Sequence, residues 1–147
     1  MLAAPAMPTE LDMAFDRSIP VLVVDDYHRM VRILRDLLRQ VGFEDIDDAA
    51  DGSVALTKMR EKKYGLVISD WSTDMAGEEL LTEMRADPGL AETPFIMVTP
   101  ETRTENVIAA KKAGVSYILK PFNARTLQDT IQALFARDCP QRHAAAA

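Results

Sequence analysis

The sequence predicts an α/β fold, a doubly wound five-stranded parallel sheet of (βα)5 type, on three observations. Short apolar runs alternate with longer amphipathic stretches between residues 19 and 137. The runs are apolar without a polar alternate, the pattern of strands covered on both faces. Four of them end in polar residues, and sheets of this kind hold ligands beyond the carboxyl ends of their strands.

The first run, "IPVLVV" at 19–24, is short and β-branched, which marks a buried strand. Met30, Val31, Leu34, Leu37, Leu38 and Val41 follow at helical spacing, and Gly42 stands where a helix ends. "EDIDDA" at 44–49 is a poor strand by propensity; the alternation alone demands one there. "SVALTKMREKK" predicts a helix, "GLVISD" at 65–70 a strand, and "EELLTEMRAD" a helix closed by Pro88-Gly89. "PFIMVT" at 94–99 predicts a strand, "TENVIAAKKAG" at 104–114 a helix and "YILK" at 117–120 the last strand. Asn123 is placed to cap a final helix with Leu127, Ile131, Leu134 and Phe135 on its inner face. Residues 18–137 thus form one domain, with 1–17 expected as a disordered lead-in and 138–147 as a flexible tail.

Composition narrows the function. Of the 147 residues, 48% are hydrophobic and 27% charged, as in a globular protein with a sizeable core. A net charge of −6 repels phosphate backbones and argues against nucleic acid as a partner. No apolar run is long enough to insert in a membrane. The one cysteine, Cys139, cannot form an internal disulfide, which fits a cytoplasmic location.

The strand ends carry the chemistry. The first strand runs into Asp25-Asp26, the third ends in Asp70, the fourth in Thr99 and the fifth in Lys120. Taken singly, each has an ordinary explanation, such as a helix N-cap for an aspartate or a solvated strand end for the lysine. Together they bring three carboxylates, a hydroxyl and an ammonium to one edge. Two carboxylates about 4 Å apart repel by roughly 4 kcal/mol at an effective dielectric of about 20, and a hard divalent cation removes that cost. Few oxygen ligands with room for water suit Mg²⁺ better than Ca²⁺, and no His/Cys spacing suggests zinc. Such a metal beside a lysine suits a phosphoryl group attacked by a carboxylate. Asp70, at the end of the central run, is the expected nucleophile. Asp25 and Asp26 are expected to hold Mg²⁺, and Lys120 and Thr99 the phosphoryl oxygens. The acidic stretch "EDIDDAAD" at 44–51 reads as a solvated edge, or as a patch that steers a basic partner.

"VLVVDDYHRMVRILRDLLRQVGF", "ISDW", "MVT", "TENVIAAKKAG" and "YILKPFN" resemble the receiver domain of bacterial response regulators, in its single-domain chemotaxis form, over roughly residues 19–136. The resemblance implies a flavodoxin-like fold with strand order 2-1-3-4-5, and a monomer. It implies that Asp70 takes phosphate from a histidine kinase, and that Asp26, Asp70 and the backbone carbonyl of Ser72 ligate Mg²⁺ while Asp25 acts through water. Lys120 would pair with the phosphoryl group, with a cis bond to Pro121. Thr99 and Tyr117 would form a coupled switch that reshapes a surface for a protein effector such as the flagellar motor switch. With no effector domain expected after residue 137, output would be a protein–protein contact.

Three features depart from the family pattern. "DWSTDMAG" reaches Gly77 one residue early and lacks the usual proline, and one residue is missing between Gly114 and Tyr117. Pro100 stands where the family uses a backbone N–H to hold the phosphoryl group, and proline has none. Two other classes of function compete with the switch. A metal-dependent phosphohydrolase of the haloacid-dehalogenase kind would need a second aspartate where Ser72 stands. A docking module without phosphorylation would agree with Pro100 and the short loops. A phosphate sink draining a shared kinase would carry the same residues as the switch.

Overall fold

In the computed structural model, residues 17–70, 76–100 and 104–146 are described, apart from the side chains of 76–78 and 137–146. Strands β1 (Val21–Val24), β2 (Ile46–Ala49), β3 (Leu66–Asp70), β4 (Phe95–Pro100) and β5 (Ser116–Lys120) alternate with five helices. These are α1 (His28–Val41), α2 (Gly52–Glu61), α3 (Ala76–Ala86), α4 (Thr104–Ala113) and α5 (Ala124–Ala146). The strands form one sheet in the order β2-β1-β3-β4-β5, and every neighbouring pair is parallel.

Successive side chains of a strand point to opposite faces, so each central strand feeds two cores. Val21 and Val23 of β1 join Ile68, Ile96 and Val98 beneath α1 and α5, against Leu34, Leu38, Leu127 and Ile131. Leu22 and Val24 join Val67, Phe95 and Met97 on the other face, against Ala55, Leu80, Met84 and Ala110. That is why β1, β3 and β4 read as unbroken apolar runs.

The edge strand β2 forms despite its poor propensity because the tertiary structure satisfies its acids. Asp47 accepts hydrogen bonds from the Tyr64 hydroxyl at 2.6 Å and from Lys62 at 3.1 Å, and Asp48 pairs with Arg35 at 2.9 Å. The Tyr64 bond, ahead of the Lys62 ones, holds the Asp47 carboxyl below its usual range, and burial and Asp47 push the Tyr64 hydroxyl up. Lys62 also reaches Asp45 at 3.0 Å. Asp51 caps α2 by accepting from Val54 N at 2.9 Å. Much of the acidic stretch is therefore neutralised or used locally, which favours the solvated edge over the steering patch.

Two helix ends show how local chemistry sets the boundaries. α1 stops at Gly42, whose φ of 118° favours glycine, and Arg17 packs where a Cβ there would sit. α5 starts behind Asn123, whose side-chain oxygen accepts from Thr126 N at 2.9 Å. Its helical backbone runs on through 138–146, the segment read from sequence as a tail. α3 opens at Ala76, two residues before the run that predicted it, and β5 opens at Ser116, one residue before Tyr117.

Candidate functional site

Strand register assembles the site. Val24 of β1 is paired with Ser69 of β3, so the next residues, Asp25 and Asp70, emerge side by side from the sheet edge. Asp70 is paired with Val98, which puts Thr99 one step further along β4, and Pro100 is paired with Lys120. Four sequence-distant segments thus meet at the carboxyl edge where β1 and β3 adjoin. Their first helices diverge to opposite faces there, since α1 covers one core and α3 the other.

Lys120 Nζ donates to Asp70 Oδ2 at 2.6 Å, and the side chains are 20% and 3% exposed. A pair so shielded from solvent is tightly coupled, because removing either partner strands the other charge. Asp25 is 8% exposed; its Oδ1 accepts from Tyr27 N at 2.9 Å, while its buried Oδ2 has no hydrogen-bond partner. Burial, and after it the neighbouring Asp70 carboxylate, push the Asp25 carboxyl up to about 7 against the Tyr27 hydrogen bond. The Asp25 side chain therefore does two things: through Oδ1 it holds the turn that leads into α1, and it adds a buried oxygen without a hydrogen bond to the edge it shares with Asp70.

Thr99 is fully buried, and its Oγ1 accepts from Asn106 Nδ2 of α4 at 3.0 Å. The hydroxyl lies 3.5 Å from the Pro100 carbonyl oxygen, at the outer limit for a bond. Asp26 is exposed at the mouth of the site. Tyr117 is half-buried, packed against the core under α2, α3 and α4, and the Lys120–Pro121 bond is cis. Ser72 and Trp71 lie outside the described residues. Sequence reasoning missed Asn106; its one signal is an amide in the first turn of a helix beside the fourth strand end.

Among the described residues, no group of three or more His, Cys, Asp or Glu side chains forms a ready metal centre. The donors still fit a hard cation: two adjoining carboxylates, one with an orphaned buried oxygen, are what a divalent ion relieves. No helix among the described residues is long and apolar enough to cross a membrane.

The fold and this edge define a class: the chain belongs to the response regulator receiver domain family, whose pattern it matches over residues 21–132. Within that class, a signalling domain of two-component systems, it is similar to the CheY-type chemotaxis receivers. It is similar to chemotaxis protein CheY-3 of Vibrio cholerae, 37% identical over 129 residues, which cover 86% of this chain and 99% of that one. It is 39% identical to chemotaxis protein CheY of Pseudomonas aeruginosa over 119 residues, covering 80% of this chain and 96% of the other. Among solved structures, CheY4 of Vibrio cholerae superposes with a TM-score of 0.70 at 33% identity, covering 80% of this chain and 98% of that one. A putative response regulator from Chloroflexus aurantiacus gives 0.74 at 28% identity, covering 82% and 99%.

Proposed function

We propose that the protein is a phosphorylation-controlled switch in which Asp70 accepts a phosphoryl group from a histidine kinase. A carboxylate oxygen of Asp70 forms the new O–P bond as the N–P bond to the kinase histidine breaks, and the leaving imidazole takes up a proton. Lys120, already bound to Asp70, neutralises the phosphoryl oxygens as charge arrives, and Thr99 donates its hydroxyl to one of them. Asp25, Asp26 and Asp70, with the carbonyl of Ser72, would hold Mg²⁺, which supplies charge neutralisation at the phosphoryl oxygens. The observation that carries this reading is the shielded Lys120–Asp70 pair with the unsatisfied Asp25 oxygen beside it. A pair built only for stability would have no use for a second buried carboxylate next to it.

Output would pass through protein–protein contact in chemotaxis, with the flagellar motor switch as effector, and the protein would act as a cytoplasmic monomer. Thr99 and Tyr117, on the neighbouring strands β4 and β5, would be the coupled elements that change. Pro100 supports a second reading, a docking module with weakened phosphorylation, because it removes an N–H beside Lys120 at the end of β4.

Treatment with Mg²⁺ and a small acyl phosphate, read by intact mass and by fluorescence of Trp71, separates the two. The switch predicts an added mass of about 80 Da, metal-dependent and absent in Asp70→Asn. A protein that stays unmodified and optically silent at millimolar Mg²⁺ is the docking module.

A further inference from the structure

The Thr99 hydroxyl is fully buried, and its oxygen is held at 3.0 Å by Asn106 Nδ2, from the third residue of α4. A buried polar bond of this kind is replaced, not simply lost, when either partner moves, because an unsatisfied group in the interior is costly. Among the described residues, the hydroxyl's own proton has only the Pro100 carbonyl oxygen at 3.5 Å, so the geometry around it is strong as acceptor and weak as donor. A phosphoryl oxygen offers what this arrangement lacks, a strong acceptor for that proton.

We propose that Asn106 is a positioning residue, a latch that holds the Thr99 hydroxyl in the resting state and ties its displacement to the first turn of α4. The inference rests on the reading of Asp70 as phosphoacceptor. When Thr99 turns to donate to a phosphoryl oxygen, it gives up the Asn106 amide. The first turn of α4 is then released from β4 through this one side chain, a route from site to helix that does not pass through Tyr117. In resting protein the same bond opposes activation. Removing the amide therefore favours the active state, by an amount set by the net strength of one hydrogen bond, about 2- to 10-fold in an equilibrium constant.

The test titrates beryllofluoride into the full chain in the presence of Mg²⁺ and reads Trp71 fluorescence, for the parent, Asn106→Ala, Thr99→Val and the double variant. The latch predicts that Asn106→Ala binds about 2- to 10-fold more tightly than the parent, and that the same change has no effect in the Thr99→Val background. A merely structural role would alter affinity equally in both backgrounds and overturns the proposal, as does unchanged or weaker binding by Asn106→Ala. Urea denaturation of each variant checks that all four are folded. If the parent itself fails to respond, the phosphoacceptor reading falls and the latch with it; if the parent responds and Asn106→Ala matches it, the latch alone falls.

Discussion

Replacing Asp25 with asparagine keeps the shape of the side chain and removes one charge from a buried acid pair. The carboxamide oxygen can still accept from Tyr27 N, and the amide nitrogen can donate toward Asp70 in place of the orphaned carboxylate oxygen. In the parent the Asp25 carboxyl rises from 3.8 to about 7, first through burial and then through Asp70. A carboxyl raised in the folded state binds its proton more tightly there than in the unfolded chain. Its stabilising share is therefore complete below the unfolded value, declines as pH rises, and is gone once pH passes about 7. At about 1.4 kcal/mol per pH unit the full shift of Asp25 is worth at most on the order of 4 kcal/mol. Asp25→Asn should thus be more stable than the parent by about 2–4 kcal/mol near pH 8 in chelator, with the gap closing toward pH 4. Millimolar Mg²⁺ should narrow the gap near pH 8, because binding stabilises the parent and the variant has lost a donor. Urea denaturation followed by circular dichroism at both pH values, with and without metal, measures all of this. A variant no more stable than the parent near pH 8 in chelator would refute the claim that this carboxylate is held at a cost.

Three further outcomes follow from the same geometry. Lys120→Met takes the ammonium away from the shielded Asp70 carboxylate beside Asp25, and should cost about 3–5 kcal/mol in urea melts near pH 8, partly recovered by adding Asp25→Asn. Pro100→Ala restores a backbone N–H at the end of β4; one charge-assisted hydrogen bond of about 1.5–3 kcal/mol should raise the phosphorylated level or lifetime roughly ten- to hundredfold, and unchanged levels by phosphate-affinity gels would reject the role given to that proline. Asp51→Ala removes the α2 cap and should lower stability by about 1 kcal/mol without altering Mg²⁺-dependent phosphorylation, which thermal melts and intact mass would check.

The buried strands were legible because their periodicity is a direct consequence of being covered on both faces. β1, β3 and β4 are apolar at every position that the two cores need, and the polar ends of four runs announced an edge with chemistry. β2 was legible only through the alternation around it. Its own residues argue against a strand, and what makes it one is Tyr64, Lys62 and Arg35 arriving from elsewhere in the chain to satisfy Asp47 and Asp48. The acidic stretch read as a solvated edge with a partner-steering patch as the alternative for the same reason: charge is visible in a sequence, and its neutralisation by distant residues is not.

The sequence by itself determined the order of the elements, the two-sided burial of the sheet, and the identity of the residues at its carboxyl edge, because each depends on spacing and polarity along the chain. Only the tertiary structure decided which of those residues meet. Strand register set Asp25 against Asp70, brought Lys120 across two strands to the same carboxylate, and turned the Thr99 hydroxyl toward Asn106. Register is a property of paired strands, and burial a property of everything packed around them. The lone buried oxygen of Asp25 therefore exists only once the chain has folded.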